Sequence, residues 1–384
     1  MERYKKLFFI LLIVTTLLRL SVIGKIGLGD DEAHYFAWSQ YLGLSYFDHP
    51  PMVAYLIALF TKIGGINEFS VRIGSVIFFF FASIFVFLLA KEIFNDNRAA
   101  FFSALLLNLT PVFTVLEAIL ILPDTPLGLS WVITLYLLYR IMKGGRASFW
   151  YLAGIMVGLG LLSKYNAFFL FPSVFLFLLL SKKNRFWLTR REPYISLFIA
   201  LLIFSPVIIW NIKNGWASFG FQLSRGYGGT FEFSPKWFVA GLAGQMGYIS
   251  PFLFFASIYA IAIGGYRGIV KRDDRYLFLF SFSIVILLFF AGLSFFKKVL
   301  PHWPTLGFIT AFIVLAQLLT LESFKRKTGS SRILLFAATY LVLVTAVLFS
   351  ALMPAQALFK IIPLPAEVDG TNELMDGPRL EKGF

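Results

Sequence analysis

Three consecutive carboxylates, Asp30, Asp31 and Glu32, are followed within about twenty residues by His34, Asp48 and His49. Carboxylates and imidazoles can take a proton from a hydroxyl or hold a cation. Adjacent carboxylates repel one another, so such a run persists where a partner binds it or where water screens it in a solvated loop. Further along, Asp124 sits in Leu122-Pro123-Asp124-Thr125-Pro126 just after Glu117, and Lys164 sits with Tyr165 and Asn166 between two apolar runs. Arg72 opens a third apolar run, and Lys297, Lys298 and His302 precede a fourth. Cations of this kind can hold a phosphate. Each residue alone also has a purely structural reading. Asp124 or Thr125 can cap a helix, Lys164 can reach lipid phosphate along its own stem, and His302-Trp303 can anchor a membrane interface.

The elements that must position these residues are membrane helices. The 384-residue chain is 59% hydrophobic and 14% charged, with a mean hydropathy of +0.80, which is too apolar for a water-soluble globule. No cysteine is present, which excludes a disulfide framework, a thiolate nucleophile and cysteine-held zinc or iron-sulfur centres. The net charge of +14 falls in short clusters between apolar runs. Topology explains those clusters better than nucleic-acid binding does.

The sequence predicts an all-α, polytopic protein of about eleven spans, each near twenty residues. They are placed at 7–24, 70–90, 99–117, 124–142, 147–163, 166–181, 194–212, 237–266, 276–296, 303–321 and 333–352. The segment 237–266 is interrupted at Pro251 and can divide into two half-spans. Leu7 to Ile23 follows Arg3, Lys5 and Lys6, and is expected to be an uncleaved first span. Basic residues crowd alternate loops, for example Lys182, Lys183, Arg185, Arg190 and Arg191. The positive-inside rule then puts the N-terminus in the cytoplasm and the acidic stretch outside.

Residues 1–352 are therefore expected to form one transmembrane domain, followed by a short outer tail over 353–384. The first outer loop, 25–70, holds the acidic motif. Tyr35, Trp38, Tyr41 and Leu42 recur there at helical spacing, predicting an interfacial helix. The apolar stretch Pro50 to Ile63 is too short to span and is expected to be re-entrant or interfacial. A glycine-rich outer loop, 214–235, contains Phe219, Phe221, Arg225 and Tyr227 and suits a mobile flap. Gly154, Gly158 and Gly160 favour close helix packing.

Over residues 20–310 these motifs resemble the polytopic GT-C class of membrane glycosyltransferases, within it the bacterial relatives of protein O-mannosyltransferases and of the lipid A aminoarabinose transferase. The resemblance rests on Asp31-Glu32 with Tyr35, on Phe47-Asp48-His49-Pro50-Pro51, on Pro123 to Pro126, on Leu162-Ser163-Lys164 and on Pro301-His302-Trp303. Many members of the class continue into a soluble outer domain, whose acceptor features are not expected here.

The resemblance implies transfer of a sugar from a polyprenyl-phosphate carrier to an envelope acceptor, such as lipid A, another glycolipid or a protein, on the outer face of the inner membrane. Direct displacement would invert the anomeric centre and needs one base. Asp31 is the expected base, with Glu32 and Asp124 orienting hydroxyls. If the acceptor is itself a phosphate, no base is needed and Asp31 would position it. Lys164, Arg72, Lys297 and His302 are candidates for the donor phosphate. Tyr35, Trp38, His49, Tyr165 and Arg225 are candidate substrate contacts. The resemblance fixes no cofactor; since metals serve some of the class, a divalent cation on Asp31, Asp124 and His49 is the one candidate.

Two other functions compete. A lipid or sugar flippase would carry charges at mid-membrane, where this chain has almost none besides Arg19. A lipid-linked glycan polymerase or ligase would use similar donors.

Overall fold

The computed structural model describes residues 2–227, 232–320, 330–359 and 361–363. Every regular element among them is helical, as the composition requires of a chain whose backbone groups must be satisfied inside lipid. Helix α1, Glu2–Val22, buries Phe8 and Leu12 and turns Phe9, Ile10, Ile13, Leu17 and Leu18 outward. That outward face is all hydrocarbon. Its one buried cation, Arg19, donates to Asn108 Oδ1 at 3.0 Å and lies 4.6 Å over the Phe79 ring.

The acidic triplet forms the first turn of α2, Asp30–Gln40, at the positive end of the helix dipole. This helix stops at Gln40, so Tyr41 and Leu42 lie beyond it rather than on its face, and both are exposed. The expected interfacial helix is therefore shorter than the aromatic spacing suggests. The chain returns through a loop pinned by Trp38 stacked on Tyr46, with ring centroids 4.1 Å apart. Tyr46 accepts a hydrogen bond from the Gly43 amide and faces the Trp38 carbonyl at 3.0 Å, and its burial raises the phenol above its ordinary pKa. The short apolar stretch then becomes α3, Met52–Gly64, followed by α4, Glu68–Phe94, whose first turn is capped by Asn67 accepting from the Ser70 amide at 2.8 Å.

The bundle continues with α5, Asn97–Leu109; a π-turn, Phe113–Glu117; α6, Asp124–Met142; and α7, Phe149–Ser163. A 3-10 turn, Tyr165–Phe169, leads into α8, Leu170–Leu180, and α9 covers Glu192–Lys213. The glycine-rich region is not simply a loop. Its residues Ala217–Tyr227 form α10. The segment broken at Pro251 divides into α11, Pro235–Ile249, and α12, Pro251–Gly265, with Ser250 between them at φ 77°. Then come α13, Asp274–Leu293; α14, Leu306–Thr320; and α15, Ser330–Phe359.

Among the described residues, five helices are long and apolar enough to cross a membrane: Glu68–Phe94, Asp124–Met142, Glu192–Lys213, Pro251–Val270 and Asp274–Leu293. Others, including α3, α7 and α14, are apolar but shorter. The count of about eleven full spans is thus matched only in part. Span 99–117 shows why: α5 ends at Leu109 before Pro111, and a π-turn completes the distance. Of the expected tail, residues 353–359 continue α15 past the expected end at 352, 361–363 are described without helix, and the remainder lies outside the described residues.

Aromatic side chains fill the centre of the bundle, with Trp131, Phe113, Phe177, Phe278, Phe282, Phe308 and Phe312 essentially without exposure. Helix α7 packs against α6 and α9, α4 against α6, and α13 against α14 and α8. Gly154 and Gly158 make the α7 to α9 seam tight. A methyl on Gly154 would stand 2.4 Å from the Ser196 carbonyl, and one on Gly158 would stand 2.7 Å from Ile203 Cβ. A second, smaller core of Leu28, Tyr35, Val53, Ile57, Val71 and Ile121 fastens α2 to α3 and α4.

Candidate active site

The N-terminal ends of α2 and α6, the C-terminal ends of α7 and α13, and the segment before α14 converge on one cavity of about 470 Å³. Its polar wall comprises Asp31, Glu32, Tyr35, Asp48, His49, Asp124, Lys164, Tyr165, Asn166 and His302. Its other wall is apolar: Phe168, Phe169, Phe289, Phe290, Leu293 and Leu300. Phe168 and Phe289 are also exposed on the outside of the bundle. The cavity therefore joins a charged chamber to an exposed apolar surface.

Asp31 and Glu32 are neighbours in sequence and opposites in environment. Asp31 is exposed and borders the cavity, whereas Glu32 is 1% exposed. Glu32 accepts from Arg72 Nε at 2.8 Å, from Arg72 Nη2, from the Gly29 amide at 3.1 Å and from the Ile121 amide at 3.0 Å. Arg72 in turn donates to the carbonyls of Ile23, Ile26 and Gly27. One buried ion pair thus joins α2, α4, the loop after α1 and the segment before α6. Arg72 has no exposure and does not border the cavity.

Asp124 and Lys164 form a second pair, 40 residues apart, with Lys164 Nζ at 2.8 and 2.6 Å from the two Asp124 oxygens. Both residues border the cavity and both are largely buried. Asp124 does not cap α6; the preceding Thr125 to Leu122 turn and the Thr125 hydroxyl donating to the Glu117 carbonyl at 3.1 Å start that helix. Glu117 is itself buried beside the pair, its carboxylate against Gly128, where a methyl group would stand 2.7 Å from Oε2.

Other expected contacts divide. His49, Tyr165 and His302 border the cavity, with Tyr165 Oη 2.6 Å from Ser218 Oγ and the His302 ring stacked 6.5 Å from Tyr248. Trp38 does not border it and serves as the platform for Tyr46 and for His34, 4.6 Å away. Lys297 and Lys298 lie outside the lining. The Arg225 side chain is outside the described residues. Sequence reasoning missed Asn166, which donates to the Trp303 carbonyl at 3.1 Å, and Gln222, which donates to the Asp48 carbonyl. Gln222 and Phe221 bring α10 onto the loop between α2 and α3, with Phe221 and Phe47 rings 4.7 Å apart. The glycine-rich region thus contributes a roof to the cavity.

Among the described residues no three His, Asp or Glu side chains are grouped to hold a metal ion. Asp124 already has both oxygens engaged by Lys164, so the set Asp31, Asp124 and His49 does not fit a divalent cation.

Residues 48–210 match the family described as dolichyl-phosphate-mannose-protein mannosyltransferase. The chain is 26% identical over 306 residues to the lipid A galacturonosyltransferase RgtD of Rhizobium johnstonii, covering 76% of this chain and 60% of that one. It is 32% identical over 138 residues to the undecaprenyl phosphate-alpha-4-amino-4-deoxy-L-arabinose arabinosyl transferase of Pseudomonas savastanoi, covering 33% of this chain and 24% of that one. Among solved structures, ArnT from Cupriavidus metallidurans bound to undecaprenyl phosphate matches with a TM-score of 0.68 at 17% identity, over 96% of this chain and 67% of that one. The chain spans about three fifths of the length of RgtD. The resemblance read from the motifs is borne out: this is a multi-pass membrane protein with the fold of the GT-C glycosyltransferases, and its sequence relatives carry glycosyltransferase names.

Proposed function

We propose, on the footing of that fold and kinship, that this chain moves a sugar from a polyprenyl-phosphate carrier to an acceptor of the cell envelope on the outer face of the inner membrane. One observation carries the reading: a single cavity joins an exposed carboxylate, a positioned ammonium and an apolar wall that continues to an exposed apolar surface. Those are the three needs of the reaction. A carrier lipid needs the phenylalanine and leucine wall, its phosphate needs a cation, and the acceptor hydroxyl needs a base.

In the proposed step, Asp31 takes the acceptor proton as the acceptor oxygen attacks the anomeric carbon. The bond from that carbon to the phosphate oxygen breaks, and the electron pair leaves with polyprenyl phosphate. Lys164 faces that leaving oxygen. An ammonium has three donors, and Asp124 fixes the ammonium by two short contacts while one donor remains for phosphate. Asp124 is thus a positioning residue in this scheme rather than a hydroxyl ligand. Glu32 and Arg72 act one step further back, holding the first turn of α2 so that Asp31 stands in the cavity. Direct displacement from the face of Asp31 inverts the sugar.

The test is purified full-length protein given a labelled polyprenyl-phosphate-linked uronic acid or amino sugar with lipid A as acceptor. Label should move to lipid A with release of polyprenyl phosphate, and Asp31→Asn should lower the transfer by a factor of roughly 100 or more. Label retained on the carrier across uronic, amino and neutral sugar donors, with lipid and protein acceptors alike, would reject the reading.

A further inference from the structure

Helix α13 borders the cavity at one end and a second cleft at the other. Along α4, Arg72 holds the cavity-lining Glu32 near one end and Phe94 borders the cleft at the other, 22 residues apart, or roughly 33 Å of helix. On α13 the order reverses, with Tyr276 at the cleft and Phe290 at the cavity; on α14, Gln317 lies at the cleft and Trp303 precedes the helix at the cavity. The cleft, of about 360 Å³, therefore opens on the opposite face of the bundle.

Three cations line it: Arg267, Lys271 and Arg275. Its one lining carboxylate, Asp273, is held by Arg275, with contacts of 3.0 and 2.7 Å to its two oxygens. The adjacent Asp274 lends Oδ2 to Ser181 and Asn184, and Glu92 pairs with Lys143 at 3.0 Å. None of the salt bridges among the described residues involves Arg267 or Lys271. Arg267 is nevertheless held in place: it bonds the Tyr276 hydroxyl at 2.6 Å and lies 4.9 Å over that ring. The turn that brings Lys271 alongside needs Arg272 in the left-handed region, φ 57°, and is closed by the Asp273 amide donating to the Arg267 carbonyl at 3.1 Å. Gln317 also lines the cleft, and its amide NH2 is a donor from which an anion can accept.

We propose that this cleft binds the phosphate of an anionic lipid headgroup on the membrane face opposite the active site. Arg267 and Lys271 supply the positive charge, the Gln317 amide a polar contact, and Phe94 with Tyr276 an apolar floor for the glycerol end. A topological cluster of basic residues needs only charge near the surface. This one has cations oriented in a concave, partly aromatic site with its carboxylate already neutralised.

The experiment is native mass spectrometry of the full-length protein with phosphatidylglycerol and, separately, phosphatidylcholine, supported by melting curves in detergent. The wild type should retain phosphatidylglycerol about tenfold more tightly than Arg267→Gln/Lys271→Gln, and should prefer it to phosphatidylcholine. Because Arg267 braces Tyr276, Lys271→Gln alone is the second variant; it should weaken the lipid adduct while keeping the lipid-free melting temperature. Lys182→Gln/Lys183→Gln removes equal charge outside the cleft and should leave binding unchanged. Equal retention by all variants, or equal weakening by the Lys182 and Lys183 pair, would overturn the proposal. Displacement of the lipid by millimolar inorganic phosphate would also overturn it, marking a site for free anions.

Discussion

The Lys164 ammonium lies 2.8 and 2.6 Å from the two oxygens of Asp124, so neither residue can be altered without exposing the other. A buried ion pair broken on one side costs about 3 to 5 kcal/mol, because the remaining charge is left unpaired. This coupling changes what a single substitution at Lys164 reports.

Lys164→Met should therefore lower stability by about 3 kcal/mol as well as weaken binding of free polyprenyl phosphate by roughly tenfold or more. Lys164→Met/Asp124→Asn removes both charges and should recover most of the stability without recovering product affinity. Melting curves and product titration on the two variants check this. A double variant that binds product like the wild type would remove Lys164 from the phosphate site.

Asp31→Asn is nearly isosteric at an exposed position. Transfer should fall by a factor of roughly 100 or more with folding and donor binding retained. Activity within a few-fold of wild type would point to an acceptor, such as a phosphate, that needs no base.

Arg72→Met should act through structure. It strands Glu32 and three carbonyls, so the melting temperature should drop by an amount matching about 3 to 5 kcal/mol. Wherever the variant remains folded, product affinity should stay within about threefold of wild type while turnover falls, because Asp31 loses its fixed helix start. Loss of product affinity at unchanged stability would return Arg72 to the phosphate site.

The absence of cysteine makes single-cysteine labelling clean. Tyr41→Cys, at an 84% exposed position beside the cavity motif, should react with an impermeant thiol reagent in cells whose outer membrane has been permeabilised. Thr189→Cys, exposed among the basic residues after α8, should react only after lysis. The reverse pattern would put the active site in the cytoplasm and make nucleotide sugars the expected donors.

The chemistry was readable in the sequence as residue types; its partnerships were not. Asp31, His49, Asp124, Lys164 and His302 were all singled out and all border one cavity. Arg72 looked equivalent to Lys164, since both are cations at the ends of apolar runs. Each is paired with a carboxylate, Arg72 with Glu32 and Lys164 with Asp124, and what separates them is that Lys164 borders the cavity and Arg72 does not, which depends on helix crossings that residue types and spacing do not show. Helix α10 was hidden by its glycines, because its place is set by contacts with the first loop rather than by propensity. Helix ends followed local rules better, as the break at Pro251 and the cap at Asn67 illustrate.

The two sides of α7 and α8 differ in how they resist separation. Gly154 and Gly158 set α7 against α9 with no room even for a methyl group, so that seam behaves as a weld. Where α8 is entered, Phe169 instead meets Phe289 and Phe290, with centroids 4.8 and 5.5 Å apart, and the contact consists of rings. Rings slide past one another at the cost of dispersion alone, with no hydrogen bond to break. The glycine seam is thus the stiffer of the two, and under the function proposed above a carrier's tail would pass on the phenylalanine side.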